Sequence, residues 1–264
     1  MPTSTVRFTN MQDLFDAINS TTGDFLAVTG LSRHFTESAC EREKRRRKFR
    51  VRRYNSTCQI LFITILADLY EELHAWIFTT SCDQLVRSGR ERSWRSIGLA
   101  TRRVEQGHPG GDGGEGDPTG GPHPERGNKG AWPTLVIEAG HSESLGELHY
   151  DMRWWFSTSD HQVKIVLLAE YDHTRSVIIL EMWEGEAQTH GTIQQTAALQ
   201  PILQQSIAIA QNTTTNPVSY NVTRGALIPS FRLLLIQDPG PGEADFVFSV
   251  PDLEDYGAMV WRQV

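Results

Sequence analysis

The chain has 264 residues, 39% of them apolar and 22% charged, with a mean hydropathy of −0.38. This composition excludes collagen-like, coiled-coil and wholly disordered chains and suits one large domain or two small ones. The formal charge of −7 is unevenly placed: residues 1–105 carry 17 Lys/Arg against 12 Asp/Glu, and residues 106–264 carry 8 against 20. No apolar run reaches the roughly 18 residues of a membrane helix; the longest, Cys58 to Ala67, is stopped by Asp68. The first twenty residues lack the apolar stretch of a secretory signal. Cys40, Cys58 and Cys82 fit neither a disulfide framework nor a zinc spacing. An intracellular location, cytoplasmic or nuclear, with no membrane partner, is therefore expected. The Asn-x-Ser/Thr triplets at Asn19, Asn55, Asn212 and Asn221 are read as composition alone.

In chain order, Met11, Leu14, Phe15 and Ile18 fall at helical spacing over Met11–Asn19, and Phe25–Val28 reads as a short strand. Nine of the twelve residues from Arg42 to Arg53 are basic. Such a run suits a nucleic-acid contact, or a strand edge kept from pairing by its charges; Phe49, Val51 and Tyr54 alternate with the arginines roughly as in a strand. Phe49 to Ile65 then reads as a hairpin turning at Asn55-Ser56, Leu66–Val86 as a helix and Ser96–Val104 as a strand. Residues 107–128 contain nine Gly and four Pro, a density that predicts a long loop without regular structure, ordered only near Asp117. That loop suits a linker, a single echo of a calcium-binding nonapeptide, or a carrier of acidic residues to a metal at a sheet edge.

Further on, Trp132–Glu138 is a strand whose Leu135, Val136 and Ile137 predict burial on both faces. Ser144-x-x-Glu147 has the pattern of a capping box opening a helix. Leu145, Leu148, Met152, Trp155 and Phe156 make its apolar face, and Glu143, Glu147 and Asp151 an acidic stripe. Val163–Ala169 and Val177–Trp183 are two more apolar strands. The right-handed crossover rule makes Leu135–Ile137 and Ile165–Leu168 parallel neighbours joined over the helix. Toward the C-terminus a helix over Gly191–Leu203, strands at Ser206–Ala210, Val218–Val222, Leu233–Ile236 and Phe246–Val250, and a final helix capped by Asp252 are expected. These short strands could hardly bury a core of their own, so they should pack on the preceding domain. The fold class is α/β (α+β), a mixed central sheet with flanking helices.

Carboxylates at strand ends followed by a helix are the oxygen ligands that Mg²⁺ takes, together with water and substrate phosphate. The candidates are Asp117 (or Glu115) in the Gly-rich loop, Glu138 at its strand end, and Asp151 on the helix stripe. His141 and His149 border them, but are read as surface residues. No nucleophile elbow, zinc-protease motif or dinucleotide fingerprint is present.

The run from Trp132 through Glu138, Ser142 and Ser144, then Asp151-Met-Arg-Trp-Trp155 and Val163–Leu168, resembles a group of uncharacterised fungal proteins. More distantly it is similar to the restriction-endonuclease-like superfamily, the PD-(D/E)xK nuclease fold. The resemblance implies an N-terminal helix and basic segment over 1–48, a restriction-endonuclease-like core over 49–189 with the Gly-rich loop at 107–128, and a C-terminal β-rich extension over 190–264. It further implies Asp117, Glu138 and Asp151 as catalytic carboxylates, with Asp117 and Glu138 holding Mg²⁺. The signature lysine does not carry over: Gly140 stands in its strand position, Trp154 or Trp155 in its helix position, and Lys164 opens a neighbouring strand. That lysine would stabilise developing negative charge on phosphorus. The expectation is thus a divalent-metal-binding, nuclease-like protein of low or lost activity. The alternative is a non-catalytic binding module on the same fold, recognising nucleic acid through residues 42–53 or a protein partner. A third reading is a structural protein whose acidic half recognises a basic partner.

Overall fold

Strand alternation near the N-terminus builds the first of two sheets. The computed structural model describes residues 4–31, 49–55, 57–96, 102–103, 113–114, 116, 119–128, 130–141, 145–187 and 199–264. In the first sheet β1 (Ser4–Arg7) runs parallel to β2 (Phe25–Thr29); β4 (Ile60–Ile65) pairs antiparallel with both β2 and β3 (Phe49–Asn55). The two-residue pieces β7 (Gly113–Gly114) and β6 (Arg102–Arg103) complete the edge, giving the order β1-β2-β4-β3-β7-β6. Helix α1 (Met11–Ser20) is capped by Asn10, whose side chain accepts from Asp13 N at 3.0 Å. It buries Leu14, Phe15 and Ile18 against Leu26, Val28, Phe49, Val51, Leu61 and Ile63. Residues two apart share a face, so Phe25, Ala27, Arg50, Arg52, Phe62 and Thr64 point away from α1.

The second sheet has the order β13-β12-β11-β10-β9-β8-β5. Its members are β5 (Trp94–Ser96), β8 (Thr119–Pro122), β9 (Leu135–Gly140), β10 (Ile165–Asp172), β11 (Val177–Ala187), β12 (Leu199–Asn212) and β13 (Ser219–Val222). Among the described strands of this sheet only β9 and β10 are parallel, joined over α3 (Leu145–Thr158), as the crossover rule requires. Leu135, Ile137 and Ala139, with the corresponding residues of β10 to β12, pack on α2 (Asp68–Arg87), α4 (Phe231–Leu235) and α5 (Val250–Val260). Val136, Val166 and Leu168 on the opposite face pack on Leu148, Met152, Trp155 and Phe156 of α3. Burial on both faces accounts for the unbroken apolar runs in β9 and β10. The two sheets and five helices among the described residues make a mixed α+β protein. No described helix is long and apolar enough to cross a membrane.

Five expectations are corrected. The Gly-rich stretch holds regular elements after all, the short β7 and then β8, which is hydrogen-bonded between β5 and β9. Packing orders it: a Cβ on Gly120 would meet the Trp94 ring at 2.3 Å, so the absent side chain is what lets the indole lie on the strand. Leu233–Ile236 falls not in a strand but in α4 and its C-cap, because a short apolar run carries no period to tell the two apart. The expected strand Phe246–Val250 reduces to a single bridge, Leu227 with Phe248, before α5 begins. Ser249, not Asp252, caps α5; Asp252 closes the capping box from the third helical position. Of the expected helix over Gly191–Leu203, residues from Leu199 onward belong to β12, and 191–198 lie outside the described residues. Ser144 and the interior of the expected strand Ser96–Val104 lie outside them too.

Candidate functional site

Two features of β3, its alternation and a bulge, create the site. Alternation puts Arg50 and Arg52 on the face turned from α1. The pairing of β3 with β4 then slips between Val51 and Arg53, a bulge that leaves Arg52 as the extra residue. Arg53 therefore sits opposite Phe62, on the same face as the other two arginines. All three are buried, at 2%, 3% and 8% exposure. They meet the C-terminal end of β9 and the middle of α3. Arg50 donates to Glu138 Oε2 at 3.3 Å and to the Tyr70 hydroxyl at 2.5 Å. Arg52 Nε donates to Asp151 Oδ2 at 2.5 Å, and Arg53 Nη1 donates to Asp151 Oδ1. The other Glu138 oxygen accepts from Trp155 Nε1 at 2.6 Å. Aromatic faces complete the cation surroundings: Arg53 lies 4.6 Å from the Phe62 ring centre and 4.2 Å from that of Tyr150, Arg52 5.8 Å from Phe25.

Further acids line the same face of the second sheet. Glu138, Leu168 and Glu181 form one row across β9, β10 and β11, and Glu170 stands two residues beyond Leu168. Glu181 pairs with His149 Nε2 at 2.6 Å and accepts from Trp183 Nε1 at 2.9 Å. Glu170 is 7% exposed. Burial first, then the charge of Asp172, pushes its carboxyl up to about 7, while the Leu145 N–H at the start of α3 opposes the rise. Asp24, 1% exposed, accepts the His141 backbone N–H at 2.9 Å and so ties β2 to the end of β9. Burial holds the His141 imidazole below its ordinary value, with Asp24 opposing.

Above Asp151 opens a cleft of about 350 Å³ between β4 and the first turns of α3. Phe25, Ile60, Phe62 and Tyr150 make its apolar wall; Arg53, Asn55, Cys58, Glu147 and Asp151 supply the polar groups. Phe25 and Phe62 are stacked at 5.7 Å, and Tyr150 is half exposed.

Of the residues singled out from sequence, Glu138 and Asp151 come together on one arginine cluster, and Glu147 lines the cleft beside them. Asp117, Glu115 and Glu143 lie outside the described residues. Lys164 is at the far, N-terminal end of the β9–β10 pair, its backbone N–H on Thr134 O and its ammonium on His161 O. Trp155, not Trp154, is the inward tryptophan, and it carries the Glu138 hydrogen bond. Neither histidine stands apart from acids: His141 serves Asp24 and His149 serves Glu181. Sequence reading missed Arg50, Arg52 and Arg53 as partners of the two carboxylates. Its signal was present in the Phe49/Val51 alternation, which leaves the arginines a buried-facing side; the bulge that adds Arg53 has no signature.

The donor set does not fit a divalent ion. Such an ion needs carboxylate lone pairs facing open space, whereas both Asp151 oxygens and both Glu138 oxygens accept hydrogen bonds from protein donors. Among the described residues no group of three His, Cys, Asp or Glu is placed to hold a metal. Compared with protein-family models and with curated proteins, the chain matches none.

Proposed function

We propose that this chain is a non-catalytic binding module on a nuclease-like core, in which the acidic positions hold the architecture together. The carrying observation is the neutralisation of Glu138 and Asp151 by Arg50, Arg52 and Arg53. A metal entering there would have to displace buried guanidinium groups and leave them without counter-charge, which costs several kcal/mol per ion. The missing signature lysine points the same way, since Lys164 lies at the other end of the strand pair. The working surface is then the cleft. Its aromatic wall and the Glu147 rim suit a protein segment carrying apolar and basic side chains. They do not suit a polyanion, because the described arginines of the basic stretch face inward.

The second reading, a metal-dependent nuclease, draws on one observation. Glu138 stands in the C-terminal half of a strand that is followed by a helix bearing Asp151, close to what the resemblance implies. Incubation with plasmid and single-stranded DNA in Mg²⁺ or Mn²⁺ separates the two. The binding-module reading expects no cleavage; cleavage abolished by Glu138→Gln would establish the nuclease instead.

A further inference from the structure

The end of the sheet opposite the arginine cluster carries two cations that no carboxylate among the described residues pairs with. Arg126 follows the turn after β8, and its side chain crosses Gly121, where a Cβ would meet Arg126 Cβ and Cγ at 3.2 Å. It donates to Gln162 Oε1 at 2.7 Å and to Gln162 O at 3.5 Å, and its Nε is buried with no partner. Lys164, two residues after Gln162, donates to His161 O at 2.8 Å. Every one of these acceptors is neutral. No carboxylate among the described residues pairs with either cation. Burial and the neighbouring Arg126 charge both hold the Lys164 ammonium below its ordinary range, and burial lowers Arg126. Two half-buried like charges held side by side are costly unless an anion joins them.

Beside Lys164 lies a hollow of about 260 Å³, lined also by Arg232, Leu233, Ile236, Gln237 and Asp238. Asp238 is turned to Arg232 at 3.4 Å, and both side chains are largely exposed, so this pair is weak. The hollow is roomier than a lone phosphate requires, and Leu233 and Ile236 give it an apolar side.

We infer that this hollow binds a phosphomonoester, its phosphate on Lys164 with Arg126 behind and Arg232 at the rim, its organic part against Leu233 and Ile236. A tetrahedral dianion supplies the two negative charges that the two half-buried cations lack, and charge-assisted hydrogen bonds to it are among the strong ones. The site lies at the opposite end of β9 from Glu138 and does not depend on how the arginine cluster functions.

Calorimetric titration of the intact chain tests the assignment, with inorganic phosphate, a nucleoside monophosphate and short single-stranded DNA as probes. The expected result is saturable binding of the monophosphate, weaker binding of inorganic phosphate, and at least a tenfold loss of affinity in both Lys164→Gln and Arg126→Gln. NMR of the Lys164 ammonium in the unsubstituted chain should show its titration moving to higher pH when the monophosphate is added. Absence of binding, affinity in either variant equal to that of the unsubstituted chain, an unmoved Lys164 titration, or binding of DNA alone would each overturn the inference.

Discussion

At the scale of single residues, Glu170 shows how this sheet face holds charge. Its carboxyl titrates near 7 in the folded protein against an ordinary value of 4.5, because burial disfavours the anion. Between those values the folded chain holds a proton that the unfolded chain has released, so stability falls as pH rises from about 5 to 7. Glu170→Gln, which keeps the shape and removes the charge, should flatten that fall and stabilise the protein at pH 8 by on the order of 2 kcal/mol. Denaturant melts of both proteins across this range check it; parallel pH profiles would refute it. Glu170 was not foreseen from the sequence, where it is one acid near the end of an apolar run. Its importance comes from the strands and helix that close over it. Glu138 and Asp151 were legible as candidates, one closing an expected apolar strand and the other on the acidic stripe of the expected helix, though that stripe did not show that Asp151 would be buried. Their partners were not, because residue spacing cannot say that β3 will lie against α3.

At the scale of elements, legibility followed period and length. The hairpin of β3 and β4, the long helix α2 and the β9–α3–β10 crossover were readable because apolar spacing ran on for many residues in each. Strand β8 was hidden because its order comes from a neighbour. Thr-Gly-Gly-Pro has poor strand propensity by itself, but β5 and β9 flank it and Trp94 covers Gly120. Gly120→Ala should therefore destabilise the protein by about 1–3 kcal/mol through overpacking, with a change in tryptophan fluorescence as the Trp94 ring is displaced. A thermal melt unchanged by this substitution would show that the indole has room to move. The apolar run over Leu233–Ile236 misled for the opposite reason: it is too short for either period, and its helix is fixed by burial of Phe231, Leu234 and Leu235 under the second sheet.

At the scale of the whole molecule, two sheets with separate apolar cores meet through charge. The first sheet buries its apolar face under α1, the second between α2, α4 and α5 on one side and α3 on the other. Arg50, Arg52, Arg53 and Asp24 then join them by ion pairs and hydrogen bonds to Glu138, Asp151 and His141. Removing one partner of a buried pair leaves the others uncompensated, which costs about 3–5 kcal/mol. Asp151→Asn should accordingly lower stability by about 3 kcal/mol, and pairing it with an apolar replacement of Arg53 should recover part of the loss in a double-mutant cycle. Additive losses in that cycle would show that the two residues do not act together.

The most direct measurement is a calorimetric titration of Mn²⁺ and Mg²⁺ into the intact chain and its Glu138→Gln variant, followed by thermal melts of each. Carboxylates already held by Arg50, Arg52 and Arg53 predict no stoichiometric binding and the same small, nonspecific change in melting temperature for both proteins. One ion bound per chain, raising the melting temperature of the unsubstituted protein and lost with Glu138→Gln, would contradict the account.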